Sequence, residues 1–268
     1  MTEAYYNRRK GVRRSDLWRI KRSPAHFKYA VEHPIEQTPA MAFGSAVHMA
    51  VLEPKRFAKE YVVADFDART KEGKSLKQQY LDEGKILLTK EQGDQISAIV
   101  AAIKKHPYAK RLLQGKHEQA HFWTDPETGE KCKCKTDCET EINGIHYVVD
   151  LKTCASAEMD EFVRDAIKFG YFFQAAMYTD GIKCETGKDS TFVFVAVEKD
   201  PPHAVNVLVC NEDVIRIGMN GDKNGKVPGY RSLIGLYHEC RTKNQWPGYE
   251  GFDGSINNID LPKWLKDE

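Results

Sequence analysis

Lys131-Cys-Lys-Cys-Lys-Thr-Asp137-Cys-Glu-Thr-Glu-Ile142-Asn143-Gly144-Ile145-His-Tyr-Val-Val-Asp150-Leu-Lys152 has the pattern of a β-hairpin. Asn-Gly between alternating residues signals a two-residue type I′ hairpin turn. With residues 143 and 144 as that turn, Ile142 faces Ile145, and counting outward brings Asp137 opposite Asp150. Alternation then puts Ile142, Ile145, Tyr147, Val149 and Leu151 on one face, read as core. Asp137, Asp150 and Lys152 share the other. Directly opposed residues have Cβ atoms about 5 Å apart, where like charges are unfavourable. A divalent cation between the two carboxylates removes the conflict, because hard cations take carboxylate oxygens at short range. Asp-x-Lys alone is equally well a polar sheet face without metal. Facing aspartates with a lysine beside them favour the metal.

Working outward, residues 119–152 read as a three-stranded meander, with Asp125-Pro-Glu-Thr-Gly129 as the first turn. A long helix is predicted over 157–180, with Phe162, Ala166, Phe169, Phe173 and Met177 on one face. Strands at 191–197 and 204–210 complete the sheet. Upstream, helices are expected over 15–31, 39–52 and from an N-cap at Thr89 to about His106. Residues 64–85 are polar and lysine-rich and read as a loop. A helix over 230–243 precedes a tail with Trp246-Pro247 and Trp264. The expected class is α/β, a small mixed sheet flanked by helices. With no internal repeat or Gly/Ser/Pro-rich linker, residues 1–268 read as one domain.

Composition narrows the function. A 41% hydrophobic fraction excludes a disordered chain. The longest apolar run, 192–197, is far too short to cross a membrane, so no membrane partner is expected. Seven cysteines without a secretory leader argue against a disulfide framework and for the cytoplasm. The net charge of +1 conceals a basic segment, residues 8–22, with eight Lys and Arg against Asp16 alone. Such a segment could hold a polyanion or be a solvated helix face.

Further residues fall into order with the hairpin. Glu118 begins the preceding strand at about the level of Asp137, as a third carboxylate. Gln174 and Tyr178 share a helix face. His48 follows Gly44 by one helical turn, where a glycine permits close backbone approach. Taken together, Gly44-x-x-x-His48, Glu118, Asp137, Asp150-Leu-Lys152 and Gln174-x-x-x-Tyr178 resemble the ordered motifs of the PD-(D/E)XK nuclease superfamily, RecB-like branch. The chain is most similar to the RecE-type exonuclease VIII nuclease domains. Met41-Ala-Phe-Gly-Ser-Ala-Val-His48, Leu52-Glu-Pro54, Asp125-Pro-Glu-Thr-Gly129, Asp150-Leu-Lys-Thr153, Tyr178-Thr-Asp-Gly181, Trp246-Pro247 and Leu261-Pro-Lys-Trp264 carry that likeness. Two departures stand out. Thr136 replaces the expected proline, and residues 218–229 hold four glycines and Pro228 where this family tends to continue a helix.

The resemblance implies a PD-(D/E)XK nuclease core and Mg²⁺-dependent DNA hydrolysis, with Mn²⁺ as a possible substitute. Asp137, Asp150 and the Leu151 carbonyl would hold one metal, and Glu118 and His48 a second metal or its water. Lys152 would orient or help deprotonate the attacking water, and Gln174 and Tyr178 would position Lys152 or the phosphate. Arg13, Arg14, Arg19, Arg69 and Lys74 would grip the DNA backbone. It further implies processive 5′ to 3′ digestion from double-stranded ends, a homo-oligomeric ring of three or four subunits, and a RecT-type single-strand annealing partner.

Other patterns point elsewhere. His117-Glu118-Gln-Ala-His121 matches the H-E-x-x-H of zinc proteases, but that chemistry needs a helix, and on a strand the two histidines stand about 13 Å apart. Cys132, Cys134 and Cys138 lack the usual zinc-knuckle spacing and read as small buried hydrophobes on the apolar face. Gly225-Lys226 lacks the rest of a phosphate-binding loop, so ATP use is not expected. A non-catalytic DNA-end-binding protein is the remaining alternative.

Overall fold

The computed structural model describes residues 3–34, 36–67, 69–256 and 258–260; the Leu261-Pro-Lys-Trp264 motif lies outside the described residues. Short helices open the chain: α1 (Glu3–Arg8), α2 (Arg14–Ile20), α3 (Pro24–Glu32), α4 (Pro39–Leu52) and α5 (Pro54–Glu60). The single helix expected over 15–31 is therefore two. Pro24 cannot continue a helix, and the Ser23 hydroxyl instead caps a new one by accepting from His26 N–H.

The loop expected over 64–85 is also corrected. Strand β1 (Tyr61–Ala64) pairs in parallel with β2 (Ile86–Thr89), and between them runs α6 (Lys71–Asp82). Thr70 caps that helix by accepting from Gly73 N–H at 3.0 Å, and Phe66 stacks on Tyr80. Almost all of α6 is exposed, so its sequence carries no apolar stripe to betray it. Helix α7 (Lys90–Lys105) starts where expected, in a capping box of Thr89 and Gln92, and α8 (Pro107–Leu112) follows.

The main sheet has the order β3-β4-β5-β6-β7, from β3 (Lys116–Thr124), β4 (Lys131–Ile142), β5 (Ile145–Cys154), β6 (Thr191–Glu198) and β7 (Val205–Val209). Only the β5–β6 pair is parallel. A parallel neighbour demands a crossover, supplied by α9 (Met159–Phe169) and α10 (Tyr171–Thr186). These replace the one long helix expected. Gly170 breaks it with φ +72°, and a Cβ there would stand 2.6 Å from the Trp18 ring. The predicted stripe breaks with it: Phe162, Ala166, Phe173 and Met177 are buried, but Phe169 is 42% exposed. Asn211 caps α11 (Glu212–Asn220), so a helix does occupy the start of the glycine-rich segment before the chain turns at Gly221. Helix α12 (Tyr230–Lys243) matches its expectation, and Trp246 packs on Phe27 and Tyr237.

Both faces of the sheet are covered. Val193, Val195 and Val197 of β6 point into one core with α4, α7 and α8, whereas Phe192, Phe194 and Ala196 point into another with α9 and α10. All six are 1% exposed or less, the mark of a central strand buried on both sides. Truncating Phe192 or Phe194 to Ala should therefore cost about 3–5 kcal/mol, readable as a lowered midpoint in denaturant. No helix among the described residues is long and apolar enough to cross a membrane.

Candidate active site

The Asn143-Gly144 turn has positive φ at both residues, and its register is the one the turn dictates, from Ile142↔Ile145 to Cys138↔Val149. Ile145, however, is 46% exposed at the hairpin tip, so the predicted core face begins further in, with Val149 and Leu151 fully buried. Beyond Cys138 the two strands part. β5 continues to Cys154 beside β6, while β4 runs back to Lys131 beside β3. Asp137 and Asp150 stand where the next rung would be. Asp137 Oδ2 accepts the Leu151 N–H at 2.8 Å, taking a backbone donor that β4 no longer pairs.

A second irregularity coincides with the first. The β3–β4 ladder skips the rung of Glu118 and Asp137, with the same register on either side, and Glu118 has φ +53°. Across this rung both strands exchange faces. Cys132 and Cys134 pack with Phe173 and Met177 of α10, whereas Cys138 packs with Val149 and Leu151 on the α4 side. The expectation of one common face for these three cysteines is thus corrected, although all are buried free thiols as expected. Local disruption of a ladder re-aims side chains. Here it leaves Asp137 at the crossover, where His48 Nδ1 of α4 comes to 3.4 Å from its Oδ2. Gly44 is not what brings α4 in: a Cβ there would make only an ordinary 3.5 Å contact with Thr153 Oγ1.

Asp150 and Lys152 project toward α10. Lys152 Nζ lies 2.6 Å from Asp150 Oδ2, and Gln174 bridges the pair. Its Nε2 donates to Asp150 Oδ1 and its Oε1 accepts from Lys152 Nζ at 3.3 Å. Lys152 Nζ also stands 4.8 Å over the ring of Tyr171, a contact the sequence reading missed although Tyr171 lies one helical turn before Gln174. Tyr178, expected to position Lys152, packs among apolar side chains and stacks edge-on to Phe192. Glu118, expected as a third carboxylate, pairs instead with Lys135. Replacing Gln174 by Leu should lower any turnover about 10- to 100-fold, the usual loss on removing a group that orients a ligand, with Tyr171→Leu affecting it more than Tyr171→Phe; single-turnover kinetics measure both.

The site is short of positive charge. Burial pushes the Asp137 carboxyl up to about 6, with His48 opposing that rise and Asp150 adding to it. Asp150 Oδ2 is buried and is met by the Lys152 ammonium at 2.6 Å without a well-aligned hydrogen bond. Two neighbouring carboxylates that raise one another's cost of ionisation fit a divalent metal, which takes carboxylate oxygens at short range. Among the described residues, no group of three or more His, Cys, Asp or Glu side chains could hold one alone. The two aspartates would need the Leu151 carbonyl and water to complete the shell.

Of the expected DNA contacts, Arg13 and Arg19 pair with Asp16, and Arg69 with Asp67. Lys74 is exposed on α6. Arg14 is different. It donates to the Phe169 carbonyl and flanks the Trp18 ring, and its buried Nε has no partner. Burial lowers its pKa, while Tyr178 and Asp150 pull the other way.

The protease pattern dissolves. His117 Nε2 meets the Leu113 carbonyl, and His121 lies across the face exchange between Glu139 and Glu185, 2.5 Å from each. Burial opposes charge on His121, but the two carboxylates outweigh it and raise its pKa. A raised histidine stabilises fully below its unfolded pKa and loses that contribution as pH rises through the folded value. Wild type should therefore exceed His121→Gln in stability by about 1–3 kcal/mol at pH 6, and the gap should close toward high pH in thermal melts.

The five-stranded mixed sheet, its flanking helices and the Asp137, Asp150-Leu-Lys152 constellation at the parting strands define a PD-(D/E)XK-like fold. Residues 14–255 match the family described as a PDDEXK-like domain of unknown function (DUF3799), and the chain belongs to that family. Nucleases of this type generally use divalent metals. A candidate exonuclease from Eubacterium rectale shares the fold at TM-score 0.63 and 17% identity, covering 100% of this chain and 97% of that one. A phage-related exonuclease from Haemophilus somnus 129PT matches at TM-score 0.35 and 16% identity, over 90% of this chain and 99% of that one. No curated protein matches the sequence.

Proposed function

We propose that the protein is a Mg²⁺-dependent exonuclease acting on linear double-stranded DNA, with Mn²⁺ able to substitute. The observation that carries this reading is the pair of carboxylates, Asp137 and Asp150, brought into mutual repulsion where β4 and β5 part. Asp137, Asp150 and the Leu151 carbonyl would hold the metal, whose chemistry is to polarise the phosphate and to lower the pKa of the attacking water.

The chain's own residues do the rest. Gln174 fixes the Asp150 carboxylate through Oδ1 and leaves Oδ2 for the cation. Gln174 and Tyr171 hold the Lys152 ammonium independently of Asp150, so with a cation on that carboxylate it would still be placed to orient water and stabilise charge developing on the phosphate. Arg14, a half-buried cation with no carboxylate partner among the described residues, is suited to a DNA phosphate. Digestion from 5′ ends, processivity, a homo-oligomeric ring, and handover of a 3′ single strand to a RecT-type annealing protein belong to the same proposal and rest on the motif resemblance. Linear duplex labelled at either end, beside a closed circle, with Mg²⁺ or EDTA, tests it. Loss of the 5′-ended strand of the linear duplex in Mg²⁺ alone is expected, and degradation of the circle would contradict it.

A further inference from the structure

At the far end of the β3–β4 hairpin a cleft of about 280 Å³ is lined by Arg9, Lys10, Phe122, Thr124 and Lys131, with no acidic residue among its lining. Its three cations come from two segments more than a hundred residues apart. Among the described residues none of them has an acidic ion-pair partner, in contrast to Arg13, Arg19 and Arg69. The cleft is also built rather than draped. Val12 N–H donates to the Lys131 carbonyl at 2.8 Å, and Lys133 N–H donates to the Val12 carbonyl at 3.0 Å, occupying the β4 edge that β5 has vacated. A Cβ on Gly11 would stand a tight 3.2 Å from the Cys132 backbone, so the two segments run in close contact here. The Lys133 ammonium spends its hydrogen bonds on the carbonyls of Tyr6 and Arg9, at 2.8 and 2.6 Å. Arg9 is further stiffened by stacking 4.2 Å over Phe122 and by donating from Nη1 to the Tyr5 hydroxyl at 3.4 Å.

Three exposed cations line one cleft whose lining carries no carboxylate, so an anionic ligand there meets attraction without a competing acidic side chain in the cleft. We infer that this cleft is a second DNA contact, binding backbone phosphates upstream or downstream of those at the Asp137–Asp150 site. The inference rests on the nuclease reading. Lys131 precedes Asp137 by six residues on β4, about 20 Å at strand rise. That span corresponds to roughly six nucleotides of a duplex strand, so the cleft would engage only DNA long enough to reach it.

The test is binding in EDTA, by fluorescence anisotropy over a salt series, of hairpin duplexes of about 4 and about 20 base pairs. The protein should prefer the longer hairpin. Arg9→Gln, Lys10→Gln and Lys131→Gln together should abolish that preference, weaken binding of the long hairpin at least about 10-fold at low salt, and reduce the slope of log K against log salt by roughly 2–3. These residues are exposed, so the melting temperature should match wild type. Removing Lys104, Lys105 and Lys110 instead should leave the slope unchanged. An unaltered slope in the triple variant, an equal loss in the control, or displacement by poly-glutamate as readily as by DNA would overturn the inference. If wild type digests DNA while the triple variant keeps its slope, only this inference fails; if wild type binds no DNA, the nuclease reading fails with it.

Discussion

Asp150→Asn will reduce Mg²⁺-dependent DNA hydrolysis by a factor on the order of 10³ or more while leaving the sheet intact. The substitution preserves volume and keeps an oxygen for Gln174 Nε2, so the packing of β5 against α10 is undisturbed. What it removes is charge. The metal loses one of its two carboxylates, and Lys152 loses its counter-ion. The second loss predicts a stability cost of about 3 kcal/mol, at the low end for a broken buried pair because Gln174 and Tyr171 still face the ammonium. Single-turnover digestion and denaturant titration read the two effects separately. Undiminished digestion by the variant would place the chemistry elsewhere.

Lys152→Met should damage hydrolysis somewhat less, by about 10²–10³-fold, yet should bind divalent metal more tightly than wild type. Lys152 Nζ lies 2.6 Å from Asp150 Oδ2, the same oxygen the metal needs, so ammonium and metal compete for it. Methionine keeps an unbranched apolar side chain of similar length over Tyr171 and ends the competition. Isothermal titration with Mn²⁺ should show a lower Kd, and added metal should raise the melting temperature further than in wild type. Weaker metal binding in the variant would mean that Lys152 supports the metal rather than displacing it.

The hairpin was readable because Asn143-Gly144 admits few turn geometries and a turn fixes register. From there, alternation alone brings Asp137, Asp150 and Lys152 into one neighbourhood. Other features lie beyond such counting. The exchange of faces at Glu118 and Asp137 leaves the register unchanged on both sides, so no count along the chain reveals it; only three-dimensional packing separates Cys134 from Cys138. For the same reason Glu118 could be placed at the level of Asp137 but not seen to turn toward Lys135. Helix α6 escaped because it buries too little to need an apolar stripe, and the α9–α10 break because Gly170 answers to a distant Trp18. Tyr171 was missed because a cation–π contact leaves no spacing signature of its own.

A crystal structure of the protein with Mn²⁺, read in anomalous difference density, would show whether Asp137 and Asp150 share a cation. The prediction is a peak bonded to carboxylate oxygens of both Asp137 and Asp150 and to the Leu151 carbonyl, at about 2.0–2.3 Å, with the Lys152 ammonium withdrawn from Asp150. A peak that touches neither aspartate, or no ordered ion between them at millimolar Mn²⁺, would contradict it.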